Sequence, residues 1–559
     1  MKPQYYIVKT FIVFTACLCF FNSCKKYNQD ITWRINTNVY SSPTLIRFLN
    51  SDPAATEEPK DFKVTISGRD ANKVVVESGG TEFKAVGGLL PLALVGGVTP
   101  TPENPVIFNV YADIPGYAPV SQAIILTDTA PSVRSVFAVS YANPVKGTSA
   151  FSKSSSLSGG VSGAVTFSTQ TNADMTEKAT ITIQDGTQML DADGNVINSS
   201  NLQTKVIHFG TGTTSSLESF PGGLTAPDAL DKNGSPIEGG VTFVTGGLLS
   251  IRMLAGGIDV KKFSKPLNVT MEMNSNVINP GTNQSVKAGD SIPVWSLNEQ
   301  TGQWKCEAMG YVTLDKNGKP SVEFQAAHLS CWNLDWSWQQ FGSYKTCNNS
   351  LRVIIHADPS YCAGNFEVTL ETKNNQYLGA LHGTPLYNGF ECVFAQTPVI
   401  DEAKIVITNN GNGKVVAESV LFTPCSQGVI EVDLGVPPVP DVVAINLNVK
   451  GKCTNLNAAF GISGWFYFYF AAAGPLDDQK VLVHVTNGAG TLKLVNGANY
   501  IIQVCYDQQN YVAAGTFNKE NFVFTPIVYG KYALTGTGAF DAVANALNLD
   551  FNLATSCNN

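Results

Sequence analysis

Apolar residues in this chain recur at every second position, and hardly anywhere at the spacing of three and four that marks a helix. The stretch "KDFKVTISGRDANKVVVESGG" reads as two strands joined around residues 68–72. "NPVIFNVYADIPGYAPVSQAIILTD" reads as two more around the turn Pro115-Gly116-Tyr117. Alternating strands with turn residues at this spacing predict an all-β chain of tandem immunoglobulin-like β-sandwich domains. The first is expected at residues 31–145. A Ser/Gly-rich stretch, "KGTSAFSKSSSLSGGVSG", follows as a linker or loose strand,. It opens a larger sandwich at 146–344. That unit closes with three strands around turns at residues 298–302 and 315–319. A third unit is expected at 346–435 and a proline-rich linker, "GVPPVPDVVA", at 436–443. A fourth unit, at 444–559, ends in the alternating stretches "YALTGTGAF" and "ALNLDFNLATSC". The third and fourth units both carry cysteines near their two ends and read as two copies of one plan.

Composition agrees with this pattern and adds a location. Charged residues make up only 14% and glycine numbers 50, as suits extracellular β-domains rich in turns. The formal net charge of −8 gives no electrostatic case for nucleic acid. The first residues, "MKPQYYIVKTFIVFTACLCFFNSCKK", follow a secretory plan of basic start, short apolar core and small residue before the cut,. The core is too short to span a bilayer, which takes about 20 apolar residues. Residues 1–23 are therefore expected to be a signal peptide and 24–30 a tether. "FNSC" resembles a lipobox, and the "SCKK" junction resembles lipoproteins of Bacteroidota, although Phe21 and Asn22 stand where Leu and Ala are common. The resemblance implies lipid on Cys24 and an outer-membrane anchor, with the chain on the periplasmic face or the cell surface. Several acyl chains would hold it stably.

Cysteine usage supports export. Nine cysteines follow Cys24, all after residue 305: Cys306, Cys331, Cys347, Cys362, Cys392, Cys425, Cys453, Cys505 and Cys557. Disulfides are the default in an oxidising compartment, and no CxxC pair offers metal-ligand spacing. No metal or other cofactor is expected. The five histidines, His208, His328, His356, His382 and His484, are scattered singly. The segments "DADGN", "DKNGS" and "DKNGK" at 191, 231 and 315 offer clustered oxygens but lack the glutamate that completes a calcium loop, and they read as turns,. In "GWFYFYFAAAG", extended, Trp465, Tyr467 and Tyr469 share one face and Phe466, Phe468 and Phe470 the other,. Phe belongs in a core. A Trp/Tyr/Tyr row is either a platform for sugar rings or a face packed on a neighbouring domain.

The most unusual stretch is "AAHLSCWNLDWSW", with Trp332, Trp336 and Trp338 crowded behind a His-Leu-Ser triplet. Taken as extended, it places His328, Ser330 and Trp332 on one mostly apolar face, where His328 and Ser330 bond each other or the backbone. Cys331 faces the other way, toward Cys306 two strands back, as a candidate disulfide. Residues 293–338 resemble the autoproteolytic His-Phe-Ser and His-Leu-Ser modules of ankyrin- and netrin-receptor-type and adhesion-receptor GAIN proteins. "PVWSLNEQTGQW" is similar to β-domains of the cartilage intermediate layer protein kind. The resemblance implies attack by Ser330 on the Leu329 carbonyl, with His328 taking the proton. The leading expectation is a lipid-anchored, surface-exposed protein for adhesion or ligand binding, without substrate turnover. Its partner would be a polysaccharide or another surface protein. The alternatives are a glycan-binding component of a nutrient-uptake system, using Trp465, Tyr467 and Tyr469, and a self-cleaving module cut between Leu329 and Ser330.

Overall fold

The computed structural model describes residues 40–555 apart from short internal stretches, the longest being 338–346 and 470–480. The leader with Cys24 and the residue Trp338 lie outside the described residues. The chain is all-β. Its described helices are one five-residue turn, Thr214–Glu218, and one 3-10 turn, Ala71–Lys73. None is long and apolar enough to cross a membrane.

The sheets fall into four groups, and three of these share one plan. In the first, Ser41–Asn50 pairs antiparallel with Leu89–Leu94 and parallel with Ser132–Ala138. In the third, Leu351–His356 has Phe390–Phe394 antiparallel on one side and Val429–Asp433 parallel on the other. In the fourth, Val442–Cys453 has Ala489–Val495 and Ala546–Thr555 in the same roles. Each of these layers faces a second one. In the third unit its order is Tyr377–Pro385, Asn365–Thr372, Ala403–Asn409, Lys414–Glu418. In the fourth it is Val481–Val485, Gly464–Tyr469, Ala498–Tyr506, Gln509–Phe517. The first unit keeps the last three positions of that order, as Thr65–Ser67, Val106–Ala112 and Val120–Leu126. The common plan thus extends to the first unit, beyond the pair recognised from cysteine placement.

The second unit is built differently. Its strands form one sheet in which Pro320–His328 pairs with both Gln303–Leu314 and Lys262–Glu272. The sheet therefore closes on itself and leaves no free edge along that ring. Inside lie Ile181, Val206, Leu249, Met253, Leu267, Met271, Trp332 and Leu334. A second apolar cluster on the outer side gathers Phe209, Phe243, Trp295, Leu297 and Trp304 beneath Phe220 and Leu224. The strand Cys331–Ser337 lies between the two clusters and is buried along its whole length.

The units are not strung out in a row. Arg252 of the second unit makes a two-pronged ion pair with Asp113 of the first, at 2.7 Å on each arm. The hairpin turn at 298–302 inserts against the first unit, where Asn109 Nδ2 donates to the Glu299 carbonyl at 3.2 Å. The fourth unit folds back onto the first, as described below. Between the second and third units, Glu218 at the end of the short helix bonds the Glu367 carboxyl. Glu367 is 2% exposed, and burial raises its pKa to about 8. Two carboxyl groups in contact there must share a proton.

A group that binds its proton more tightly when folded favours the fold at low pH. This joint is therefore at full strength below about 4.5, the ordinary glutamate value, and weakens as pH rises to about 8,. Thermal melts of the chain across pH 4–9 should fall over that window. Glu367→Gln, which supplies the neutral form at every pH, should flatten the fall.

Candidate functional site

The His-Leu-Ser triplet sits at a corner. Pro320–His328 ends in one layer of the closed sheet, and Cys331–Ser337 begins in another, paired with Val241–Ala255 and Ser291–Asn298. Leu329 and Ser330 make the crossing, and the Leu329 N–H donates to the Lys261 carbonyl at 3.0 Å. Alternation holds as far as His328. The corner then breaks the extended register that would have put His328 and Ser330 side by side. The Ser330 hydroxyl instead donates to the Leu297 carbonyl and, at 3.2 Å, to the Cys331 carbonyl.

His328 has a different partner. Its ring stacks on Trp332, with 5.0 Å between centroids, and its Nε2 lies 3.4 Å from Glu307 Oε1. Glu307 is the extra residue of a bulge between Val294–Trp295 and the strand opposite. A bulge turns a side chain out of the normal alternation, so alternation alone gives no sign of where Glu307 points. Ser296 Oγ donates to Glu307 at 2.8 Å, and Lys305 Nζ lies 2.9 Å away. The His328 contact leads these in holding the Glu307 carboxyl below the usual carboxylate range, against the opposing effect of burial. This is a surface ion cluster. A nucleophile needs its base within hydrogen-bond reach, and here the serine and the histidine are bonded elsewhere.

The proposed Cys306–Cys331 disulfide is not formed. Cys331 is in register with Leu297 and Cys306 with Trp295, so the strand Ser291–Asn298 runs between them. Two strand spacings come to roughly 9–10 Å, beyond the Cα span of a disulfide, about 4.4–6.8 Å. The bond that does form joins Cys347 to Cys425 in the third unit, and Cys453 is also disulfide-bonded. The three Asp-Gly loops are turns: Asp191, Asp231 and Asp315 each accept backbone N–H groups from two and four residues on, at 2.8–2.9 Å. Among the described residues no group of three potential metal-binding side chains converges.

The aromatic row is not an open platform. Phe466 and Phe468 enter the core of the fourth unit. Trp465, 2% exposed, packs with Leu482 against Leu45, Leu89 and Val133 on the outer face of the first unit. Tyr467 lies under the Arg47 guanidinium, 5.0 Å from ring centroid to its carbon. The Tyr469 side chain lies outside the described residues. Beside Trp465, the His484 side chain is 1% exposed and its Nε2 is 2.5 Å from Glu77 Oε1 of the first unit. Trp465 and Tyr467 thus face another unit, which removes these two as a sugar-stacking surface. The Arg47 and Glu77 contacts, to partners some 400 residues along the chain, had one local sign: a lone arginine in the apolar run "TLIRFLN".

Known proteins add little to this geometry. No protein family matches the sequence, and no curated protein does. Among solved structures, two of BcpA, the major pilin subunit of Bacillus cereus, align over 92% of this chain and 99% of theirs, at 7% and 9% identity and TM-scores of 0.13 and 0.12. The Bacillus anthracis TIE protein aligns over 66% of this chain and 72% of its own, at 10% identity and a TM-score of 0.12. Nothing about function is carried over from these.

Two outcomes follow from the geometry. The purified chain, reduced and incubated for days, should remain one polypeptide by mass spectrometry, the same as Ser330→Ala; fragments ending at Leu329 would contradict the arrangement described. Trp465→Ala should cost about 3–5 kcal/mol, as truncation of a buried tryptophan does, and should split one melting transition into two by releasing the fourth unit.

Proposed function

We propose that this chain is a lipid-anchored, surface-exposed protein that binds or adheres through the outer faces of its β-sandwich units, without turning over a substrate. One observation carries the reading. The same sheet position is treated in opposite ways in three units built alike. In the first unit it is covered, and Leu45, Leu89 and Val133 make most of it apolar. In the third it presents Arg352, Glu391, Glu431 and Asp433 to solvent, and in the fourth a ladder of amides and carboxylates. There Asn446 Nδ2 donates to Asn548 Oδ1 at 2.9 Å, and Asn448 to Asp550. Thr491, Thr535 and Thr537 extend these rows across the neighbouring strands.

Such a face has no part in the core, since Ile445, Leu447, Leu547 and Leu549 point the other way. It offers paired donors and acceptors on a flat surface, suited to hydroxyl-rich polymers or to the polar rim of another protein. Adhesion to either needs the anchor as well, and Cys24 supplies it in this reading.

The test has two arms. Metabolic labelling with a fatty-acid probe should mark the wild-type chain and fail with Cys24→Ala, and protease added to intact cells should remove the wild-type chain. Binding to polysaccharide arrays and to whole cells should drop at least tenfold in an Asn448→Ala, Asp550→Ala double variant. Trp465→Ala, whose ring is buried at the seam, should leave any site on this face intact. Equal binding by the double variant would move the adhesive surface elsewhere.

A further inference from the structure

The seam between the first and fourth units holds a buried cation, Arg47, that no carboxylate among the described residues pairs with. Arg47 lies within Ser41–Asn50 and is 5% exposed. Its Nη2 donates to the Tyr467 hydroxyl at 3.4 Å. Its Nε and Nη1 have no hydrogen-bond partner. Among the described residues no carboxylate forms an ion pair with it, and Glu77, which lines the same seam, is bonded to His484. Arginine stays protonated at every pH at which proteins fold, and an unpaired charge is among the costliest groups to bury.

The neighbouring groups have the same deficit. Ser135 is the direct cross-strand partner of Arg47 in the parallel pair. Leu45 and Val133, two residues earlier on each strand, both enter the seam, so Arg47 and Ser135 point the same way. Ser135 is 3% exposed and its hydroxyl has no partner. From the fourth unit the Trp465 indole N–H, on the same seam, is also unpartnered. Each of these groups can donate a hydrogen bond. What is missing among the described residues is an acceptor, and the guanidinium requires that it be negative. Water would supply the acceptor but not the charge.

We propose that Arg47 and Ser135 bind a small monovalent anion of the halide class, enclosed when the fourth unit docks on the first. The near-complete burial of both side chains selects for size, and the donor set selects for charge. The bound anion then favours the docked form by the usual linkage, because only that form has the complete site.

The experiment uses the full chain and three salts. Thermal unfolding is followed in sodium chloride and in sodium gluconate at equal ionic strength. The transition of the docked units should rise with chloride and saturate, and it should stay lower in gluconate. Arg47→Met should abolish the difference and Ser135→Ala should reduce it at least threefold in apparent affinity. Should Arg47→Met fail to fold, Ser135→Ala and Arg47→Lys carry the comparison. Crystals grown in bromide should show an anomalous peak between the Arg47 guanidinium and the Ser135 hydroxyl. Equal melts in the two salts, an unchanged response in the variants, or no anomalous signal at that position would each overturn the proposal.

Discussion

An apolar sheet face must be covered, and in this chain that requirement brings the fourth unit onto the first. Leu45, Leu89 and Val133 point away from their own core. Left in water, each would forgo about 1.5–3 kcal/mol of burial. Trp465 and Leu482 cover them. The Arg47–Tyr467 and Glu77–His484 contacts sit within the same seam. Buried pairs of that kind contribute little net stability after desolvation, so the apolar contact drives docking and the polar pairs set its register. The third and fourth units carry charge or amides at the matching positions and leave that face open.

Much of the fold was legible because strands announce themselves through a period of two. The hairpins around 298–302 and 315–319, the terminal strands of the fourth unit and the Phe466/Phe468 core positions follow from alternation alone. Pairing between distant strands does not. The closed ring of the second unit depends on Pro320–His328 meeting Lys262–Glu272, and no local pattern encodes that choice. The plan shared by the first, third and fourth units is hidden for a related reason: different residues satisfy the same inward and outward pattern. Trp465 was legible as a face with two outcomes. The partner that decides between them lies about 400 residues earlier in the chain.

The His-Leu-Ser stretch shows where alternation stops being informative. Parity places Trp332, Leu334 and Trp336 inside and Cys331, Asn333 and Asp335 on the other side, and the structure agrees. It cannot reveal that the chain changes layers at Leu329 and Ser330, because no glycine or proline marks the corner. Nor does it show that the other side is also buried. Asp335 is 0% exposed, and burial raises its pKa well above the usual carboxylate value. His208, two strands away, is held neutral by burial, with its pKa pushed down to about 3. Both groups avoid charge by staying in their neutral forms, a solution open to carboxyl and imidazole but closed to the guanidinium of Arg47.

The parallel pairing of first and last strands also determines how these units meet a pulling force. With those strands side by side and pointing the same way, the chain enters a unit at one pole and leaves at the other. Tension along the chain then acts in shear on the whole ladder at once, seven paired positions from Thr44 to Asn50 in the first unit and ten from Ala444 to Cys453 in the fourth. A hairpin peeled from one end would lose its bonds singly. In the third unit the load meets the Cys347–Cys425 bond before it meets the ladder. It crosses the sulfurs and enters Val429–Asp433 directly. The stretch between the two cysteines, spanning a separation of 78 residues, lies off the force path and cannot be drawn out while that bond holds.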